Sequence, residues 1–155
     1  MEAVCKRGHV VDFMLNPQVG QGNTPPPFCN DCGAIVMTRC SNCNDPIWGG
    51  ERGSFPPSRP GNFCTACGGP FPWVGREAIA HHLENLLEGS SDLDARQQLE
   101  LKEQIAVLTD AESTDKSRLA AGRFIKQLVP MAWNSAAPLL RTVVTEAVLR
   151  ELGLH

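Results

Sequence analysis

The sequence predicts a small metal-stabilised β domain followed by an all-α tail. Three observations carry that reading. The first is a break in composition: residues 1–75 hold 11 of the 14 Gly, 10 of the 12 Pro and all 7 Cys. The second is the spacing of the cysteines, six of which form Cys-x2-Cys pairs. The third is the return of apolar residues at helical spacing after Trp73. The expected organisation is a zinc-ribbon domain over residues 1–75 and a helical domain over 76–155.

The Gly/Pro-rich half excludes long helices. Its apolar runs, Val10 to Leu15 and Ala34 to Thr38, fit short strands. Between them, Gly20 to Pro27 and Phe55 to Gly61 read as turns and loops. Such a segment buries too little apolar surface to fold unaided and needs a staple.

The cysteines supply one. They stand as Cys5, Cys29-x2-Cys32-Gly33, Cys40-x2-Cys43-Asn44 and Cys64-x2-Cys67-Gly68. In a zinc knuckle the backbone turns tightly under two sulfurs. The residue after the second ligand favours positive φ, which Gly tolerates best and Asn next. A thioredoxin-like redox pair would want its CxxC to open a helix in a βαβ context, and that context is missing.

Seven cysteines leave two tetrahedral sites one ligand short, and His9 is the expected eighth. An internal repeat points to it. A shift of 35 residues takes Cys5 to Cys40, Phe28 to Phe63, Cys29 to Cys64, Cys32 to Cys67 and Gly33 to Gly68. In that register Gly8 falls on the position of Cys43, and His9 falls one residue later, within reach of a longer side chain. Repeats over about residues 5–33 and 40–68 would then each own one metal. One set is Cys5, His9, Cys29 and Cys32; the other is Cys40, Cys43, Cys64 and Cys67. Two other groupings are open. A crossed pairing would join Cys5 and His9 to Cys40 and Cys43, and a short ribbon would use Cys29, Cys32, Cys40 and Cys43. Sequential pairing is favoured because it respects the repeat. Two structural Zn2+ per chain are expected, with iron the alternative at the all-thiolate set.

The tail reads as four helices. The first spans Arg76 to Glu88, with Ala78, Ile79, Leu83, Leu86 and Leu87 inward and Gly89 as its stop. Ser91 or Asp92 is expected to cap the second, which carries Leu99, Leu101, Ile105 and Leu108 to Thr109. Ser113 is expected to cap the third, with Leu119, Phe124, Ile125, Leu128 and Val129, ended by Pro130. Ser135 is expected to cap a fourth, with Pro138 in its first turn and an apolar side of Leu139, Leu140, Val143, Val144, Ala147, Val148 and Leu152, running to Gly153. So wide a side needs cover, from this chain or from a second subunit. Arg118, Arg123 and Lys126 read as a solvated face, and His81 and His82 as solvent-facing.

Composition narrows the function. No stretch reaches the roughly 20 apolar residues that cross a bilayer, and the N-terminus shows no signal peptide, so a cytoplasmic setting is expected. The formal net charge is −3. Seven thiolates outweigh the charge of two zinc ions, so nucleic acid is not favoured as a partner. GxSxG, P-loop, dinucleotide-turn and HExxH motifs are all missing from the sequence. Pro70-Phe71-Pro72-Trp73 is expected to pack the ribbon onto the first helix, and Trp48 to fill a thin core or stack on a ligand.

The pattern Cys5-x2-Gly8-His9-Val10, Cys29-x2-Cys32-Gly33, Cys40-x2-Cys43-x2-Pro46-Ile47 and Cys64-x2-Cys67-Gly68-x2-Phe71-Pro72-Trp73 resembles a family of small uncharacterised bacterial proteins. These carry a tandem zinc-ribbon front half and a helical tail, and the segment around Ala120, Arg123 and Phe124 is similar as well. The resemblance implies zinc binding at these positions and brings no established activity. Trp48 departs from the family pattern, which has a basic residue there. The function expected is a non-enzymatic interaction or scaffold module that binds another protein or a second copy of itself. Nucleic-acid binding is the alternative, and a hydrolase using an open first metal site comes third.

Overall fold

The computed structural model describes residues 1–12, 15, 24–48, 60–89 and 92–154. The chain divides into two compact units, Met1–Val74 and Gly75–His155.

In the N-terminal unit three short strands, β1 (Ala3–Cys5), β2 (Val10–Asp12) and β3 (Val36–Met37), form an antiparallel sheet in the order β2-β1-β3. Of the apolar run Val10 to Leu15, the strand takes the first three residues, and Phe13 and Met14 lie outside the described residues. Parts of the loops read at 20–27 and 55–61 lie outside them too. A small core joins the two repeats. Val4 of β1 packs with Cys40, Ile47, Cys64 and Phe71, flanked by Met37, Cys67, Trp73 and Val74. Phe71 and Trp73 stack with ring centroids 4.7 Å apart, and the Trp73 indole N–H donates to the Gly61 carbonyl at 3.0 Å. This stack therefore belongs to the ribbon unit's own core. Trp48 does not fill that core and is half exposed.

In the C-terminal unit α1 spans Arg76–Glu88, α2 Ala95–Thr109 and α3 Asp115–Leu128. Helix α1 packs on α2, and α2 on α3. Two expected caps move. Helix α2 is capped by Asp94, whose carboxylate accepts from the Gln97 N–H at 2.8 Å while the Gln97 side chain accepts from the Asp94 N–H at 3.0 Å. This capping box satisfies two orphan donors at once, an arrangement Asp92 has no equivalent for; Ser91 lies outside the described residues. Helix α3 is capped by Thr114, which accepts from the Ser117 N–H, while the Ser113 hydroxyl donates to Asp110. Leu99 is also corrected: it is exposed. Leu101, Ile105 and Leu108 form the buried stripe of α2, and Leu99 sits half a helical turn away from it.

The single fourth helix does not form. Pro130 opens a short α4 (Pro130–Trp133), a 3-10 turn covers Asn134–Ala136, α5 is Ala137–Leu140 and α6 is Glu146–Leu152. Both prolines start helices because a first-turn position needs no N–H donor. The run Thr142-Val143-Val144-Thr145 is β-branched and a poor helix interior. Thr145, not Ser135, makes the cap, accepting from the Val148 N–H at 3.4 Å. Breaking the segment turns its apolar residues inward: Leu139, Leu140, Val143, Val144, Val148, Leu149 and Leu152 are buried within the chain, whereas Ala147 is exposed.

Of the three cations expected on a solvated face, Arg123 and Lys126 are exposed and Arg118 is not, and several cations of this unit reach carbonyls at helix ends. Arg118 is buried; its guanidinium donates to the Asp110 and Ala111 carbonyls and pairs with Asp115. Lys126 donates to the Leu152 carbonyl, and Arg76 to those of Thr109 and Val143. Arg123 pairs with Glu151. Cations beside carbonyls at helix C-termini satisfy groups the helices cannot. Gly122 lets α3 and α6 approach: a Cβ there would lie 2.6 Å from a Leu152 methyl. Among the described residues, no helix is long and apolar enough to cross a membrane.

Candidate metal centres

Each ligand position is set by a short turn. In the three Cys-x2-Cys turns the hydrogen bonds repeat. The N–H of the first cysteine donates to the carbonyl five residues on (Cys29 to Ala34, Cys40 to Asp45, Cys64 to Gly69). The N–H four residues on returns to that cysteine's carbonyl (Gly33 to Cys29, Asn44 to Cys40, Gly68 to Cys64). The returning residue is left-handed each time, with φ of 69° at Gly33, 61° at Asn44 and 69° at Gly68. Asn44 is the one non-glycine with positive φ among the described residues, and Asn is a side chain that tolerates this region.

The first turn is one residue shorter. The Cys5 N–H donates to the His9 carbonyl, and the Gly8 N–H returns to Cys5. The left-handed residue is therefore Gly8, with φ 88°, and it precedes the second side chain instead of following it. Gly8 is the conformational counterpart of Asn44, which leaves His9 the functional counterpart of Cys43. A Cβ on Gly8 would also meet the Trp73 side chain at 3.1 Å.

These turns bring eight side chains together in two groups. Cys5, His9, Cys29 and Cys32 form one, and Cys40, Cys43, Cys64 and Cys67 the other, with the ligand atoms of each group within 4.8 Å of one another. The groups follow the repeat, and neither the crossed nor the short-ribbon arrangement is present. In the first, Cys5 Sγ lies 3.7 Å from Cys32 Sγ, and Cys29 Sγ 3.6 Å from His9 Nδ1. In the second, Cys43 Sγ lies 3.6 Å from Cys64 Sγ, and Cys40 Sγ 3.9 Å from Cys67 Sγ. Zn–S bonds of about 2.3 Å and Zn–N bonds of about 2.0–2.1 Å require tetrahedral edges of about 3.8 Å for S···S and about 3.6 Å for S···N. The observed separations match both edges. The eight side chains are consistent with two structural zinc ions.

Backbone and side-chain donors support the sulfurs. The His9 N–H points at Cys5 Sγ (3.3 Å) and the Asn42 N–H at Cys40 Sγ (3.4 Å). The Asn42 side-chain amide crosses between turns to donate to Cys67 Sγ at 3.3 Å. Nothing in the spacing marks Asn42 for that role. Burial pushes the Cys67 thiol up, but this amide, the Gly69 N–H and the sulfurs of Cys43 and Cys64 hold it down at about 7. At Cys43 the Asp45 N–H pulls downward, while desolvation and the sulfurs of Cys67, Cys64 and Cys40 push the thiol up to about 12. Four sulfurs this close cannot all ionise unless a cation joins them. The two groups also share an exposure pattern: the first ligand is buried, the second exposed, the third buried and the fourth half buried.

Neither other singled-out histidine joins a cluster. His81 and His82 lie on α1, with His81 exposed, near Glu84 and bonded to Asn85.

No curated protein and no solved structure matches this chain. Residues 1–152 match the model of a family described as an uncharacterised protein conserved in bacteria, DUF2321. That match covers both metal clusters and nearly the whole helical unit, and the chain belongs to this family.

Proposed function

We propose that the chain is a zinc-stabilised, non-enzymatic protein-interaction module. The observation that carries this reading is the completeness of both clusters. Each offers four protein ligands, and a tetrahedral zinc held by four has no position for water or substrate. The zinc would thus brace short turns into a rigid surface. That surface has an apolar feature. Phe28 and Ile35 oppose each other across an antiparallel bridge, 57% and 51% exposed. The bonds Cys29 N–H to Ala34 O and Val36 N–H to Pro27 O flank the pair, which puts the two side chains side by side. Their counterparts one repeat on, Phe63 and Pro70, form the same bridge, yet Pro70 is buried and Phe63 partly so. The same pair is covered in one repeat and open in the other.

Replacing Phe28 and Ile35 together by Ser tests this reading. The doubly substituted protein should keep two zinc ions by native mass spectrometry and the helical signal of the parent, and lose partners that the parent captures by cross-linking. A loss of zinc or fold would instead make the pair structural. The partner is another protein or a second copy of the chain. Self-association through the tail would have to use Leu99 and Met131, its exposed large apolar side chains among the described residues.

Nucleic-acid binding is the second reading. Lys6 and Arg7 are exposed, and the Lys6 N–H donates to the carbonyl of Ile35, the residue that pairs with the exposed aromatic Phe28. Binding to single-stranded RNA or DNA that weakens steeply with salt would favour it over the protein reading.

A further inference from the structure

The two clusters share their backbone plan and exposure pattern, but differ at the position that faces solvent. There the first cluster has His9 and the second has Cys43. Of the seven cysteines, Cys43 is the exposed one; Cys5, Cys29, Cys40 and Cys64 are buried, and Cys32 and Cys67 are intermediate. Cys43 Sγ lies 3.6 Å from the sulfur of buried Cys64.

We infer that the second cluster is an oxidant-responsive site, in which a peroxide oxidises Cys43, a Cys43–Cys64 disulfide closes and one of the two zinc ions is released. Reactivity toward peroxide follows thiolate character and access. Zinc keeps all seven sulfurs as thiolates, so access decides between them. At the first cluster the exposed ligand residue is His9, whose imidazole peroxide does not oxidise under these conditions, and the least buried cysteine, Cys32, is intermediate.

The steps balance. The Cys43 thiolate attacks one peroxide oxygen, the O–O bond breaks, and hydroxide leaves, giving the sulfenic acid. The Cys64 thiolate then attacks the Cys43 sulfur, the S–S bond forms, and the sulfenic oxygen departs as a second hydroxide. The two sulfurs together give two electrons to the peroxide. Cys40 and Cys67 alone do not hold zinc in a closed tetrahedral site, and the ion leaves. A dithiol reductant with added zinc reverses the sequence.

This inference rests on the metal reading, so the test begins with the full-length protein counted for zinc by native mass spectrometry. Two ions per chain uphold the metal reading, and fewer than two overturn it together with this inference. Hydrogen peroxide is then added stoichiometrically, and zinc release is followed with a chromogenic chelator. The expected result is loss of one zinc, retention of the other, and a Cys43–Cys64 disulfide in the peptide map. Loss of both ions together, loss from the first cluster first, or no loss overturns the inference while leaving the metal reading intact. Cys43→His should slow release by an order of magnitude. Should that variant fail to load its second site, the zinc-loaded parent decides: mapped after substoichiometric peroxide and thiol blocking, Cys43 should be the first of the seven cysteines oxidised. Earlier oxidation of any other cysteine counts against the inference.

Discussion

The N-terminal unit is built from strands of three, three and two residues, and the C-terminal unit from principal helices of 13, 15 and 14. Strands so short cannot supply a core, and the described apolar cluster there has five buried members, two of them metal-cluster cysteines. The helical unit closes around Leu83, Leu87, Leu101, Ile105, Ile125, Trp133, Leu139, Leu140 and Leu152, all nearly or fully buried. It adds cations at helix ends where carbonyls lack partners. One unit is therefore held by ligand bonds and the other by apolar burial and capping. The contrast teaches where each is vulnerable: the first to chelators and oxidants, the second to cavities.

Removing the metal is the strongest way to break that contrast. Structural zinc contributes apparent binding free energies of about 10–16 kcal/mol at neutral pH in small zinc-finger peptides, and that energy is folding energy. A strong chelator should unfold the N-terminal unit and leave α1 to α6 helical. Amide resonances in NMR would separate the two units, and collapse of helical resonances along with the ribbon would show that the units are not independent. The converse experiment is a cavity in the other unit. Ile105 is fully buried, and Ile105→Ala should cost about 2–5 kcal/mol. It should lower the thermal midpoint of the helices while native mass spectrometry still counts two zinc ions.

Smaller changes sharpen the comparison. Asn44→Ala puts a β-carbon residue with no local hydrogen-bonding side chain at φ 61°, at a cost of about 1–2 kcal/mol. It should weaken zinc retention at the second cluster in a chelator competition, whereas Asn44→Gly should not. Equal weakening by both would mean that the Asn side chain, not the backbone conformation, holds the turn. Asp94→Ala removes the capping box of α2 and should cost about 1 kcal/mol, read as a lower helical midpoint with zinc binding unchanged.

Much of the metal unit could be read along the chain because its information is local. A Cys-x2-Cys turn followed by Gly or Asn carries both its ligands and its backbone conformation within five residues. The 35-residue register then suggests which turns share an ion. The shortened first turn was visible too, in the order Gly8-His9: the left-handed residue comes before the ligand, so the imidazole must reach back. Two expected caps failed by a narrow margin. The capping box Asp94-x2-Gln97 stood in the sequence as plainly as the neighbouring Asp92, and Thr114 adjoined Ser113.

What only the tertiary structure decided concerns contacts between distant residues. Helical spacing grouped Arg118, Arg123 and Lys126 as one charged face. Arg123 and Lys126 are indeed exposed, but the structure buries Arg118 on the Asp110 and Ala111 carbonyls and ties the Lys126 ammonium to the Leu152 carbonyl. A cation's partner at a helix end depends on which helix ends nearby, and periodicity holds no such information. The last segment failed for a related reason. Pro138 was compatible with the first turn of one long helix, and nothing local chose between a long helix with a wide apolar side and three short pieces folded over α1 and α3. Burial chose, because breaking the segment turns Leu139, Leu140, Val143, Val144 and Leu152 inward together. The bridge Phe28–Ile35 and its counterpart Phe63–Pro70 follow the same rule. The 35-residue register relates Phe28 to Phe63 and Ile35 to Pro70, while the structure pairs them and packing decided that one pair is covered and the other faces solvent.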